Sequence, residues 1–346
     1  MLIKMQVGEQ DRGELQVNVT DSDNAPIRDA RVTISEPETA INPNSPIERL
    51  ETDVSGQTQI VDLNTPPLEY SLNENNENMP YANYNIQIEV PGYETENIRN
   101  VEILPDSLSL QNVRMRKREG EQVENIDIDP HTLYAEYPEK IPEDEIKDVN
   151  EPGEIVLSRV VIPEYVVVHN GTPSSNARDY YVTYKDYIKN VASSEIYATW
   201  PRATIEANVL AIMSFTLNRV YTEWYRNKGY DFTITSSTAY DQKWIYGRNI
   251  FQSIDEVVDE IFDQYLSRPD VRQPILTQYC DGKRVTCPNW LSQWGSCNLG
   301  EQGFGTLEII RNYYGDDMYI NTAEQISGIP ASWPGYDLTI GASGQK

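Results

Sequence analysis

The stretch YANYNIQIEVPGY, residues 81–93, places Tyr84, Ile86, Ile88 and Val90 at alternate positions and then stops at Pro91 and Gly92. Apolar residues at every second position line one face of a pleated strand, and Pro-Gly closes such a strand in a turn. The same period runs outward through GELQVNVTDSD (13–23), with Leu15, Val17 and Val19, and through ARVTISEP (30–37), with Val32 and Ile34. Turn-rich segments between them, NENNENMPYAN (73–83) being the clearest, leave no room for long helices. Residues 1–116 are therefore expected to form a small all-β antiparallel sandwich.

Charge separates this front part from the rest. The chain has 346 residues and a net charge of −26. Residues 1–155 hold 12 Lys+Arg against 33 Asp+Glu, whereas the remainder holds 16 against 21. An acidic field of this size repels nucleic acid and anionic membranes, because binding phosphates needs clustered cations that displace counterions. The one basic cluster, RMRKR at 114–118, ends a predicted strand and is followed by acids, so it reads as a charged edge. No apolar run is long enough to span a bilayer, and the first residues, MLIKMQVGEQDRGELQ, lack the apolar block of a secretory signal. Membrane insertion and nucleic acid are thus not expected.

Residues 117–155 are dense in acids and prolines and sparse in aliphatics, and are expected to be an extended linker open to a processing protease. Beyond it, aromatic residues concentrate: all six Trp lie at or after Trp200, and 17 of 23 Tyr lie after residue 155. Helical patterns appear among short strands. YVTYKDYIKNVASSEI (181–196) reads as a strand running into a helix. Pro201 is placed for a first helical position, followed by an apolar helix to Asn227 that Gly229 stops. Ser253 and Glu256 form a capping box for an amphipathic helix carrying Ile254, Val257, Val258, Ile261, Phe262 and Tyr265. TLEIIRNYYG (306–315) gives a short third helix. Residues 156–322 are expected to be an α+β domain of catalytic size, with 323–346 a tail.

The absences narrow the chemistry. The only histidines are His131 and His169, and neither HExxH, a Walker loop, GxGxxG nor GxSxG occurs. A zinc peptidase or amidase is not expected on ligand supply, and a cysteine nucleophile would need His169 beside Cys280, Cys287 or Cys297. Six residues separate Cys280 from Cys287, which suits a disulfide across a turn at Asp281 and Gly282. A structural zinc on the same two thiolates is the alternative, short of a third and fourth ligand. What remains is carboxylate chemistry, and Glu195 stands out because Ile196, Tyr197 and Trp200 surround it in sequence.

Two resemblances add to this reading. The order DNAPIRDARVTI (23–34), TDVSGQT (52–58) and YNIQIEVPGY (84–93) resembles prealbumin-like, carboxypeptidase-regulatory-like sandwiches. In the back half, YKDYIKNVASSEIYATWP (184–201), NVLAIMSFTLNRVY (208–221), ITSSTAYDQ (234–242) and CPNWLSQWGSCNLGEQG (287–303) occur in the order found in the SpoIID/LytB family of peptidoglycan-cleaving domains. The whole chain resembles the spore cortex-lytic SleC-type proteins, which are made as pro-forms. The resemblance implies a SpoIID-like lytic transglycosylase in which Glu195 is the catalytic acid. Tyr197, Trp200, Tyr240, Asp241, Ser292, Gln293 and Trp294 would line the substrate cleft, and no cofactor would be required. The implied partners are peptidoglycan glycan strands and an activating protease, in a spore or cell-wall compartment. The tail would begin a wall-binding repeat. The chain departs from the family pattern at Asn289 and Trp290, ahead of LSQWG, where relatives have fewer or smaller residues.

A transglycosylase needs one acid, because the sugar's own 6-hydroxyl is the nucleophile. A muramidase or glucosaminidase needs a second carboxylate, for which Asp241 is the candidate. A wall-binding component of a phage tail or tail-like particle would keep the domains without turnover.

Overall fold

The computed structural model describes residues 10–38, 44–118, 123–145, 156–327 and 339–340. They fall into two compact units. The first comprises the chain up to Ala135 together with Tyr197–Thr199 and Ile245–Asp255; the second holds the rest.

The first unit is built from β1 (Asp11–Thr20), β2 (Arg31–Ser35), β3 (Pro46–Glu51), β4 (Val61–Thr65), the single-turn α1 (Glu69–Leu72), β5 (Ala82–Glu89), β6 (Thr95–Ile103), β7 (Leu108–Arg114) and β8 (Val123–Asp127). One sheet has the order β3-β2-β5-β6-β8, and β7-β1-β4 lie together in the other. The alternation seen in the sequence is the reason: Val17, Val19, Val32, Ile34, Ile86, Ile88, Ile98 and Val101 are buried in one apolar core contributed by both sheets. The sandwich is not purely antiparallel, since β1 pairs with β7 and β6 with β8 in parallel.

The segment expected to be a linker is structured where it is described. Its acidic composition hides a strand period, VENIDI at 123–128, whose Ile126 and Ile128 join the sandwich core. His131, Thr132 and Leu133 that follow are also buried, and residues 136–145 belong to the second unit. The sandwich therefore extends past 116. Residues 119–122 and 146–155 of that segment lie outside the described residues.

The second unit begins with β9 (Val156–Leu157), β10 (Val161–Ile162), β11 (Tyr165–His169) and β12 (Asp179–Thr183). Next come α2 (Tyr184–Glu195), α3 (Arg202–Tyr221) and β13 (Ile234–Thr235). The chain then returns to the first unit as β14 (Ile250–Phe251), which pairs antiparallel with β7 and completes the four-stranded sheet. The last elements are α4 (Gln252–Ile261), β15 (Gln264–Ser267), β16 (Tyr279–Cys280), β17 (Leu291–Ser292), α5 (Gln293–Glu301), α6 (Thr306–Tyr314), β18 (Tyr319–Thr322), β19 (Glu324–Gln325) and β20 (Thr339–Ile340). Most of the expected tail lies outside the described residues. Among the described residues, no helix is long and apolar enough to cross a membrane.

Helix α3 is buried almost all round, as its composition predicts. It packs against α2, α5, α6 and β15. Pro201 caps it from an extended conformation instead of occupying its first turn, and it ends at Tyr221, six residues short of Asn227. The early stop coincides with Glu223, which takes a positive φ of 46°. Helix α4 starts at Gln252, one residue before the expected cap. Ser253 lies inside it and its hydroxyl donates to the Ala198 carbonyl at 3.0 Å.

The returning segment is fastened to the sandwich by polar groups that no local pattern signals. Arg248 and Glu102, both almost fully buried, form an ion pair at 2.7 Å. Asn249 exchanges two hydrogen bonds with the backbone of Glu102, and the Gln111 amide donates to the Gly247 carbonyl at 3.1 Å. Burial pushes the Glu102 carboxyl up, and the Arg248 charge opposes that shift. Removing one member of such a pair leaves an uncompensated buried charge. Arg248→Met is expected to destabilise the chain by about 3–5 kcal/mol in urea unfolding, with Arg248→Met/Glu102→Met recovering part of the loss. A single variant as stable as the wild type would show that the pair does not anchor this segment.

Candidate active site

Glu195 is the last residue of α2, whose first turn is capped by the Thr183 hydroxyl accepting from the Asp186 N–H. Its carboxyl group is completely buried. Oε1 accepts the Lys243 backbone N–H at 2.6 Å. Oε2 has no hydrogen-bond partner of good geometry, nor does the hydroxyl of Tyr279, which interacts with the same carboxylate. Tyr137 and Tyr187, both buried, also feel its charge. Burial holds the Glu195 carboxyl above the ordinary glutamate value, opposed first by the Lys140 ammonium and then by the Lys243 N–H and Tyr279.

Lys140 and Tyr137 come from the segment 136–145, EYPEKIPEDE, which is a strap across this unit and not a linker. Lys140 is buried and lies 4.1 Å from the Tyr279 ring centre. Its ammonium donates to the Asp241 carbonyl at 3.2 Å. Burial lowers its pKa to about 8, while Glu195 and Asp241 pull the other way. The strap is fastened along its length. The Ile141 N–H donates to the Ala239 carbonyl at 2.9 Å. Glu143 accepts two 2.8 Å bonds from Arg219, and Glu145 accepts one of 2.8 Å from Arg268. Arg219 is itself fully buried, and its Nε donates to Asp241 Oδ1 at 2.6 Å.

Asp241 is thereby committed. Oδ2 accepts from the Tyr225 hydroxyl at 2.6 Å, the Thr235 N–H at 2.9 Å and the Thr235 hydroxyl at 2.7 Å. With both oxygens occupied it organises the loop around β13 and has no free lone pair directed at a substrate.

The remaining expected residues divide by environment. Tyr197 belongs to the first unit and packs on His131 with ring centres 4.5 Å apart. Trp200 and Trp294 are buried against each other at 5.1 Å, which is core packing. Tyr240 is partly exposed, and its carbonyl accepts from Arg219. Ser292 caps α5 by accepting the Gly295 N–H at 2.9 Å. A side chain at Gly295 would collide with the Ser292 and Tyr313 hydroxyls, which accounts for glycine in SQWG. Gln293 is fully buried with neither amide atom hydrogen-bonded. Buried polar atoms without partners are rare in folded proteins, and here Gln293, Tyr279, Tyr137 and Glu195 each contribute one or more.

Cys280 and Cys287 form a disulfide with Cα atoms 5.7 Å apart, and Cys297 takes no part in a disulfide and is buried. The bridge joins the end of β16 to the loop ahead of β17, with no strand at Cys287 to make a hairpin. With the two sulfurs bonded to each other they offer no thiolate pair to zinc. Among the described residues no group of three or more His, Cys, Asp or Glu is placed to hold a metal. His169 does not meet a cysteine. Its Nδ1 is 2.7 Å from Asp179 and its Nε2 is 3.2 Å from the Ser175 carbonyl and hydroxyl, closing the loop between β11 and β12. The Ser175 hydroxyl itself donates to the Thr172 carbonyl.

Sequence reasoning placed Glu195 and Asp241 here but missed Lys140, Tyr137, Tyr279 and Arg219. The available signal was YPEKIP, where aromatic and aliphatic residues interrupt the acidic run around one lysine.

No protein-family model and no curated protein matches the chain. Solved structures similar to part of it include catechol 1,2-dioxygenase of Acinetobacter radioresistens, at 14% identity and TM-score 0.23, covering 34% of this chain and 58% of that one. The minor pilin of Streptococcus agalactiae matches at 17% identity and TM-score 0.22, covering 33% and 48%. The TIE protein of Bacillus anthracis matches at 13% and 0.20, covering 31% and 17%. The chain therefore spans less than two thirds of each of these proteins, and likenesses this slight carry no functional argument.

Because burial raises the Glu195 carboxyl above 4.5, the folded chain retains a proton that the unfolded chain releases. Its contribution to stability is present below the ordinary glutamate value and is lost as pH rises toward the raised one. Glu195→Gln should therefore gain stability relative to the wild type as pH rises above the ordinary glutamate value, by roughly 1.4 kcal/mol per unit of separation. A stability difference that stays flat across this range in chemical denaturation would mean that Glu195 titrates normally.

Proposed function

We propose that the second unit is a SpoIID-like peptidoglycan lytic transglycosylase and that Glu195 is its single acid. The observation that carries this reading is the contrast between a fully buried Glu195, whose Oε2 has no hydrogen-bond partner of good geometry, and an Asp241 whose oxygens are committed to Arg219, Tyr225 and Thr235. Protonated Glu195 donates to the oxygen of the MurNAc–GlcNAc bond as that bond breaks. The 6-hydroxyl of the muramic residue attacks its own C1, and Glu195 takes back the hydroxyl proton, leaving 1,6-anhydro-MurNAc. No water enters. A muramidase or glucosaminidase would need a second carboxylate about 5–9 Å away, and Asp241 is a poor candidate for that role. The disulfide fits an oxidising cell-wall or spore compartment.

A buried Glu195 cannot touch a glycan strand, so the described state is a closed one. In this proposal the strap at 136–145 is what closes it, with Lys140 and Tyr137 occupying the surroundings of the acid. Processing near the strap would act by releasing these residues. A cut in this region would leave the two pieces associated, because β14 remains a strand of the sandwich sheet. Complete burial of Glu195 also favours a second reading, a wall-binding structural component without turnover.

Mass spectrometry of fragments released from purified cortex and vegetative peptidoglycan is expected to give products ending in 1,6-anhydro-MurNAc, with none from Glu195→Gln. Reducing ends would indicate hydrolysis, and unaltered cleavage by the variant would remove Glu195 from the chemistry. No products from any form would favour the structural reading. Lys140→Ala/Glu143→Ala should loosen the strap and raise the rate about tenfold over the intact chain, equivalent to about 1.4 kcal/mol. An unchanged or lower rate would show that the strap is part of the working site.

A further inference from the structure

A second cavity lies in the same unit; of its walls Arg219 and Tyr225 also hold Asp241, and the others play no part in the Glu195 chemistry. A cavity of about 360 Å³ is bordered by Tyr165, Tyr181, Trp224, Phe232, Glu223 and Arg226. The size suits a small ligand, and aromatic walls with a few polar groups are the usual make-up of such a site.

Three observations point to a ligand. Tyr181 projects from β12 with 72% of its surface exposed, an open aromatic face beside the cavity. Trp224 and Phe232 are already packed, the first by Lys228 at 3.0 Å from its ring centre and the second by His169 at 4.6 Å. They form wall, leaving Tyr181 as the platform. Next, Nη1 of Arg226 is buried without a hydrogen-bond partner, and Glu223 Oε2 lies 3.8 Å away, too far for one.

The third observation is the backbone at Glu223. Eight described non-glycine residues have positive φ, and seven of them are Asn or Asp; Glu223 is the exception. It sits one residue past the C-cap of α3, where the chain needs a left-handed residue and where glycine fits without strain. A role confined to ending the helix would be met better by glycine. A glutamate held there, 7% exposed and with its carboxyl raised to about 7 by burial, places a planar acid at the cavity wall at a conformational cost.

We propose that this cavity binds an uncharged sugar residue of a glycan strand, stacked on Tyr181 and hydrogen-bonded by Glu223 and Arg226. The faces of a pyranose are rich in C–H groups that rest on an aromatic ring, and its rim of hydroxyl or acetamido groups matches the paired donors and acceptors of a carboxyl and a guanidinium. Two acids, Glu223 and Asp231, face two bases, Arg219 and Arg226, around this cavity, a balance that selects against a strongly charged ligand. The choice of an N-acetylated sugar rests on the peptidoglycan reading; the existence of the site does not.

Titration calorimetry of chitotetraose into full-length Glu195→Gln tests this without cleavage. Saturable binding is expected, weakened about tenfold by Tyr181→Ala and by Glu223→Gly. The glycine variant should unfold at the same or a higher temperature than its parent, because glycine relieves the backbone. Glu223→Gln, which keeps the shape and hydrogen-bonding capacity, should retain most of the affinity. No saturable binding up to about 10 mM, or binding that Tyr181→Ala and Glu223→Gly leave unchanged, would overturn the proposal. Failure of the wild type to cleave peptidoglycan would bear on Glu195 alone.

Discussion

The second unit is organised around one buried cation, Arg219. A guanidinium taken out of water is costly unless its donors are matched, and here they are shared among Asp241, Glu143 and the Tyr240 carbonyl. The arrangement fixes three segments that are distant in sequence: α3, which carries the arginine; the loop around β13, which carries Asp241; and the strap, which carries Glu143. Its own pKa stays high despite burial because carboxylates face it. The same arrangement commits both oxygens of Asp241 to Arg219, Tyr225 and Thr235.

Glu195 and Lys140 show the opposite use of burial. Each is shifted toward its neutral form by loss of water and partly restored by the other. A carboxyl held in that balance responds to what covers it. Displacing the lysine would remove a stabilising cation and favour the protonated carboxyl. Through Lys140 the strap thus contributes to the local cost of charge at Glu195.

The sandwich meets a different requirement. Its four-stranded sheet is completed by two residues supplied from position 250, and the buried pair Arg248–Glu102 sets where they dock. The strand is too short to be recognised by any period. Only a tertiary arrangement that offers β7 an edge partner and Glu102 a counter-charge could define it.

What the sequence alone determined is whatever depends on local periodicity. The alternation in β1, β2 and β5 specified the sandwich core, the all-round apolar character of α3 specified a central buried helix, and Glu195 could be placed at the end of α2 among apolar neighbours. Cys280 and Cys287 were close enough for their pairing to be foreseen. Only the tertiary structure decided what surrounds Glu195, because Lys140, Tyr279 and Arg219 reach one another across distances in sequence that carry no period. It also turned the acidic stretch before residue 145 from a linker into a strand and a strap. Composition counts charges, and a fold decides which of them are paired out of water.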